Sequence, residues 1–410
     1  MLLKRTEGTL LFLCALVIAS LVLNSCGVNL PEIGGRISNQ QTIKIATQSP
    51  LSGSKSSVGI DIKNGALLAL EQRKDALEEM GFRVELVEFD DQANIQVGVD
   101  NARKIVADPA FLCVVGHYNS GVQIASSEEY HKAGLANISP ANTSPQVTDR
   151  GYIEVSRLVG RDDIQGVVAA NFAQSQGVST VFIVHDKTVY GQGVAEFFKQ
   201  RAKELEVEVV GFEGTEEHEI FDTIIEAIVT TNPELVYFGG IHDQAGILLR
   251  QVRENGYQGI FMGPDGLDSP ELLLIAGPAL LENGGLFYST VSGPASLYPG
   301  TAQFVTDFET RFDAYPQPFA AQAYDAMSIC LQAIENAARS ADGEIPTRQD
   351  VAQAVRALRD FPGITGTFTF NDIGDPLSSQ YFIIQVKSSD PAKWNENTVI
   401  ETLNIPPPNP

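Results

Sequence analysis

Basic residues are scarce in this chain. Its 410 residues carry 28 lysines and arginines against 51 acidic side chains, a formal net charge of −23. So negative a chain repels phosphate backbones and anionic headgroups, which argues against nucleic acid or a charged membrane surface as a partner. Cysteine is scarcer still, with four in all. None forms a Cys-x-x-Cys pair or clusters with histidine, so no metal site is expected. Cys113 sits in a strand-like apolar run and Cys330 in a helical pattern, and the two read as separate buried thiols rather than a disulfide. The motifs of common enzymes are absent as well: there is no P-loop, His-Glu-x-x-His or Gly-x-Ser-x-Gly. Ser52–Lys55 fits Ser-x-x-Lys without its partner motifs, and Gly191-Gln192-Gly193 lacks the third glycine of a dinucleotide loop. The five histidines are scattered, and His117 reads as a structural hydrogen-bond partner rather than a base. No catalytic residue, metal or cofactor is expected, and the chain reads as a binder, not an enzyme.

A long apolar run is also missing. Leu10–Leu23 is almost wholly apolar but falls short of the roughly 20 residues that span a bilayer. It follows Lys4 and Arg5 and ends in Leu23-Asn24-Ser25-Cys26, which makes it an export signal. The Leu-x-x-Cys ending resembles the lipobox of bacterial lipoproteins, although Asn24 is a less usual residue inside it. The resemblance implies cleavage before Cys26 and a lipid on its sulfur, so residues 1–25 are expected to be a signal peptide. Residues 26–41 lack periodicity and read as a flexible tether, and residues 405–410 as an extended tail.

What remains, about 360 residues, is long for a single core and suggests two lobes. Strand-like runs (Ile43–Thr47, Val84–Phe89, Phe111–Val115, Leu135–Ile138) alternate with helical patterns, which predicts an α/β fold with parallel strands covered on both faces. One of these patterns, with Ile62, Ala66, Ala69, Leu70, Leu77 and Met80 on one face, predicts a helix ended by Gly81. A second series of similar length runs from near Asp162 to Ile260–Met262. Phe304, Phe308 and Phe312, and then Tyr324, Met327, Leu331 and Ile334, mark core faces of two further helices. Thr367–Phe370 and Tyr381–Val386 flank the turn sequence "NDIGDP" and predict an antiparallel hairpin.

Two clusters of small and hydroxyl residues stand out, His117-Tyr118-Asn119-Ser120-Gly121 and Ser139-Pro140-Ala141-Asn142-Thr143. Each follows a predicted strand, where open α/β sheets bind ligands. Ser120 precedes a helix expected over about Gly121–Ala133. It can serve as a simple N-cap, or it can join the free N–H groups of the helix start in holding an anion. Thr143 lies one strand–helix–strand step further on and can stand beside it.

The stretch "GHYNSGVQIASSEEYHKAGLANISPANTSPQVT" resembles the signature of type I periplasmic binding proteins, in the branch of Leu/Ile/Val and neutral amino-acid receptors of ABC transporters. "SPLSG", "DDQANIQVGVDNARKIV", "RLVGRDDIQGVVAANF", "HDKTVYGQG", "FMGPDGL" and "FNDIGDP" follow in that family's order, over about residues 42–400. The resemblance implies two Rossmann-like lobes joined by three hinge strands, with lobes at 42–160 plus 290–365 and at 161–289 plus 366–404. It implies that Tyr118, Asn119, Ser120, Ala141, Asn142 and Thr143 hold the ligand's α-carboxylate and help with its ammonium. Tyr190 comes from the second lobe on closure, Asp265 faces the ammonium, and Phe319 lines the apolar end. The implied ligand is a neutral or branched-chain amino acid, delivered to a membrane permease from the periplasmic or extracytoplasmic face of the cell. Alternatives within the fold are a short amide, urea or an aromatic acid, or a role as a ligand sensor. Val58, Ile241 and His242 stand where the branched-chain binders carry aromatic residues, so the fold and amino-acid recognition carry over better than side-chain preference. The disulfide of some members has no matching cysteine partner here. Ile241 is kept as a pocket residue.

Overall fold

The computed structural model describes residues 41–277 and 284–408. The signal, Cys26 and the tether fall outside them. The first lobe is a five-stranded, wholly parallel sheet in the order β2-β1-β3-β4-β5. Its strands are β1 (Gln41–Ser49), β2 (Phe82–Asp90), β3 (Phe111–Gly116), β4 (Ala136–Ser139) and β5 (Val155–Arg157). Helices α1 (Ser56–Arg73), α2 (Asp75–Glu79), α3 (Ile95–Ala107) and α4 (Ser120–Lys132) make the crossovers. Every residue of β3 and β4 is buried, as expected for strands covered on both faces. The single helix expected up to Gly81 is in fact two, because the chain breaks at Lys74, which caps one and opens the other. Gly81, at φ +94°, then turns the chain into β2 in a conformation that favours glycine.

The second lobe is a seven-stranded sheet in the order β14-β13-β10-β9-β8-β6-β7. It begins with α5 (Asp162–Ser175), β6 (Thr180–His185), α6 (Val189–Glu204), β7 (Glu208–Gly214) and α7 (Asp222–Thr231). It continues through β8 (Leu235–Gly239), α8 (His242–Glu254), β9 (Ile260–Gly263), α9 (Glu271–Ala276) and β10 (Leu286–Thr290). The chain then returns to the first lobe through α10 (Ala302–Phe312), α11 (Ala320–Ser340) and α12 (Arg348–Ala357). Phe304, Phe308 and Phe312 pack ring against tilted ring, with Phe304 and Phe308 buried and Phe312 partly so, and Tyr324, Met327, Leu331 and Ile334 are buried, so both stripes belong to the core.

Two expectations are corrected. The hairpin expected between Thr367–Phe370 and Tyr381–Val386 does not form: around "NDIGDP" only a single antiparallel bridge, Phe370 with Pro376, closes the turn. Thr367-Phe368 (β12) pairs with Phe361-Pro362 (β11), while Ser379–Gln385 (β13) joins the second sheet between β10 and the final strand β14, Thr398–Ile405. Local alternation marked both segments as strands but could not name their partners. Cys113 and Cys330 are disulfide-bonded, with Cα atoms 6.0 Å apart across a separation of 217 residues. They are brought together because α11 packs over β3 in the first lobe, a juxtaposition invisible along the chain.

The chain passes between the sheets after β5, after β10 and between β12 and β13, which are the three hinge connections. A buried ion cluster sits at the first and third. Asp375, in the "NDIGDP" turn, meets Arg157 Nε at 2.7 Å and Arg161 Nη1 at 3.0 Å. Burial pushes the Asp375 carboxyl up, but the Arg157 charge and the Thr148 hydroxyl more than offset it and hold it below the usual range.

Candidate functional site

Both sheets reverse the strand order within their parallel part, the first between β1 and β3 and the second between β6 and β8. Loops at the carboxyl ends of strands part at such points and leave a crevice. Here the two crevices face each other and share one cavity of about 310 Å³, within the range of small-molecule pockets. Its walls come from loops at strand carboxyl ends. Lys55 follows β1, Ala93 and Ile95 follow β2, Tyr118–Val122 follow β3, and Ala141 and Thr143 follow β4. From the second lobe, Asp186–Tyr190 follow β6, His218 follows β7, Ile241, Asp243 and Gln244 follow β8, and Asp265 and Gly266 follow β9.

On the first-lobe side the helix α4 points its N-terminus into the cavity. Asn119, not Ser120, is its N-cap, and its side chain makes no capping bond, so Ser120 is the first helical residue. The first-turn N–H groups thus stay available to an anion. The Ser120 hydroxyl accepts only a long 3.5 Å bond from Ser144 N–H. Asn142 does not reach the cavity wall. Its Oδ1 accepts from His117 N–H at 3.2 Å and from the Ser139 hydroxyl at 2.7 Å, and its Nδ2 donates to Tyr118 O at 2.7 Å. It is a strut that ties the two hydroxyl-rich clusters together. His117 is buried and bonds Asp91 at 3.1 Å, a structural role.

The second-lobe side carries the charge. Asp265 is buried on the cavity wall and accepts a 2.8 Å hydrogen bond from the Tyr190 hydroxyl. That hydroxyl in turn accepts from Gly266 N–H at 2.7 Å. Burial raises the Asp265 carboxyl to about 6, with the Tyr190 bond pulling the other way. Tyr190 lies in the first turn of α6, held there by Thr188, whose hydroxyl accepts from Gly191 N–H at 2.9 Å.

Of the ten expected ligand residues, Tyr118, Asn119, Ser120, Ala141, Thr143, Tyr190, Ile241 and Asp265 line this cavity. Asn142 and Phe319 do not. Phe319 lies behind Tyr118, ring centroids 6.1 Å apart, and lines a separate small cleft with Asp268 and Ser292. Val58 and His242 are buried away from the wall.

Sequence reasoning passed over two groups. Lys55 and Asp243 pair across the cavity, yet Lys55 stood out only as part of a weak enzyme motif. Asp162 is fully buried in the first turn of α5, its N–H bonded to Thr143 O at 2.9 Å. Burial, and then the nearby Asp265 charge, hold its carboxyl well above the usual range. Along the sequence Asp162 marked only the start of the second strand–helix series. Of the two buried acids only Asp265 is on the cavity wall, and a cation in the cavity favours its charged form.

The profile of the family described as "Periplasmic binding protein" matches residues 42–391. A Leu/Ile/Val-binding protein homolog of Brucella melitensis is 32% identical over 348 residues, covering 84% of this chain and 91% of that protein. A leucine-, isoleucine-, valine-, threonine- and alanine-binding protein of Pseudomonas aeruginosa is 33% identical over 336 residues, covering 82% and 87%. Among solved structures, a leucine-binding protein of Thermotoga maritima superposes with a TM-score of 0.78 at 26% identity, covering 88% of this chain and 98% of that one. These relatives are substrate-binding proteins, and the two opposed sheets with three connections between them have the same architecture. The chain belongs to the periplasmic binding protein family, in its two-lobed type I form.

Proposed function

We propose that this protein captures a neutral, zwitterionic α-amino acid, branched-chain ones included, between its two lobes, and delivers it to the permease of an ABC importer without chemical change. The observation that carries this reading is the pairing of opposite sites in one cavity. The free N–H groups and hydroxyls at Ser120 and Thr143 suit a carboxylate, and the buried Asp265 carboxylate opposite suits an ammonium. The names of the relatives support the ligand class. The lobes divide at 42–160 plus 290–365 and 161–289 plus 366–404, and closure brings Tyr190 and Asp265 onto a ligand held by the first lobe. In the cell the protein is exported and held at the membrane by a lipid on Cys26.

Calorimetric titration over neutral amino acids, short amides, urea and benzoate tests the ligand class. One of the amino acids is expected to bind best. Asp265→Ala should weaken it about 30- to 3000-fold, because removing one member of a buried ion pair costs about 2–5 kcal/mol. Ser120→Ala should cost about 1–3 kcal/mol. Unchanged affinity in the Asp265 variant would remove the zwitterion reading in favour of an uncharged ligand.

A further inference from the structure

Tyr118 is the observation the amino-acid reading leaves over. Its side chain is 9% exposed and forms part of the cavity wall. A buried tyrosine hydroxyl normally finds a hydrogen-bond partner. Several others in this protein do: Tyr190 donates to Asp265 at 2.8 Å, Tyr130 to Gln48 at 3.0 Å and Tyr257 to Ile260 O at 2.9 Å, whereas the Tyr237 hydroxyl is sealed in the core without a partner. Among the described residues the Tyr118 hydroxyl makes none, and yet its oxygen is not sealed within the protein. Its backbone is fixed by the Asn142 strut and its ring is backed by Phe319, so the side chain is held in place rather than free to turn away. The wall it shares carries apolar Ile95, Val122 and Ile241, and the carboxylates of Asp265 and Asp243 lie near enough to act on its hydroxyl.

We infer that Tyr118 is a specificity-determining residue. Its hydroxyl hydrogen-bonds the ligand's side chain, so among neutral amino acids the site prefers one with a short hydroxyl or carboxamide beside apolar atoms, of the threonine or asparagine type, over its purely aliphatic isostere. The inference rests on the amino-acid reading of the cavity and narrows it. A site with a fixed polar group loses that group's water when an aliphatic ligand enters and gains nothing back. The apolar neighbours receive the methyl group or methylene stem.

Two isosteric pairs test it by calorimetric titration: threonine against valine and asparagine against leucine. The wild-type protein is expected to bind the polar member of each pair about 5- to 10-fold more tightly, the worth of one net hydrogen bond. Tyr118→Phe keeps the ring and its packing on Phe319, and it should bring both ratios to about one by weakening threonine and asparagine. Its melting temperature, measured alongside, should stay within a few degrees of wild type. Wild-type preference for the aliphatic member, or ratios unchanged by Tyr118→Phe, overturns the inference and leaves the amino-acid reading standing. So does an equal loss for both members of a pair, which would assign the hydroxyl to the ligand's head group. Binding of none of the four amino acids overturns the amino-acid reading, and the role of Tyr118 with it.

Discussion

Lys55 Nζ of the first lobe lies 3.1 Å from Asp243 Oδ2 of the second, and the Ser54 hydroxyl donates to the same oxygen at 2.7 Å. Ser54 and Lys55 end the loop after β1, and Asp243 opens α8, so these bonds join the lobes directly across the cavity. Burial pushes the Asp243 carboxyl up, but the Lys55 charge and the Ser54 hydrogen bond more than offset this and hold it below the usual range. The contact is made only when the lobes meet, so it favours the closed form irrespective of which ligand is inside.

Asp243→Asn should therefore weaken every ligand by a similar factor, roughly tenfold, the worth of one charge-assisted bond. The change should fall mainly on the dissociation rate. Stopped-flow kinetics with two different ligands checks this, and small-angle scattering of the liganded variant should show a larger radius of gyration. A loss confined to one ligand would make Asp243 a side-chain contact instead.

Asp265 sets the pH dependence. Its folded value of about 6 lies above the ordinary 3.8, so the stability linked to it is present below about pH 4 and is lost as pH rises through 6. At neutral pH the buried charge then costs the empty protein about 3 kcal/mol, at 1.36 kcal/mol per unit. Asp265→Asn, which removes that charge, should raise the melting temperature of the ligand-free protein at pH 7.5 and change it little at pH 4. Binding moves the opposite way. An ammonium needs the ionised carboxylate, so wild-type affinity should fall as pH drops below about 6, and the variant should bind weakly throughout. Differential scanning calorimetry and titrations at pH 4.5, 6 and 7.5 check both signs.

The Cys113–Cys330 bond ties β3 to α11 over 217 residues. The family works outside the cytoplasm, where such bonds persist. Replacing both cysteines with alanine should destabilise the protein by about 2–5 kcal/mol in denaturant titrations. The bond lies within the first lobe, away from the cavity, so affinity under native conditions should be retained.

Cys26 should be the N-terminus of the mature protein and carry lipid. Mass spectrometry of membrane-extracted protein checks this. An intact peptide spanning Ser25–Gly27 as the main species would contradict it.

Much of the architecture was readable along the chain, for a physical reason. Strands buried on both faces must be continuous apolar runs, and crossover helices need an apolar stripe, so Phe111–Val115 and the Phe304/Phe308/Phe312 row disclosed their roles locally. The hydroxyl-rich loops at Ser120 and Thr143 were legible because sheets of this kind bind ligands at strand ends. Pairings between distant segments were not. Nothing in the local pattern of Tyr381–Val386 says that its neighbours are β10 and β14, or that Cys113 meets Cys330, because those contacts depend on how whole layers stack. The same holds within the site. Tyr118 and Phe319 were both aromatic candidates, and only the packing of α11 behind the first cluster put one on the wall and the other behind it. The buried charges show this most strongly: Asp162, Asp243 and Asp375 look like ordinary helix-start and turn residues. Burial and partners from the other lobe or the hinge are what give them their charge states, and both exist only in the folded chain.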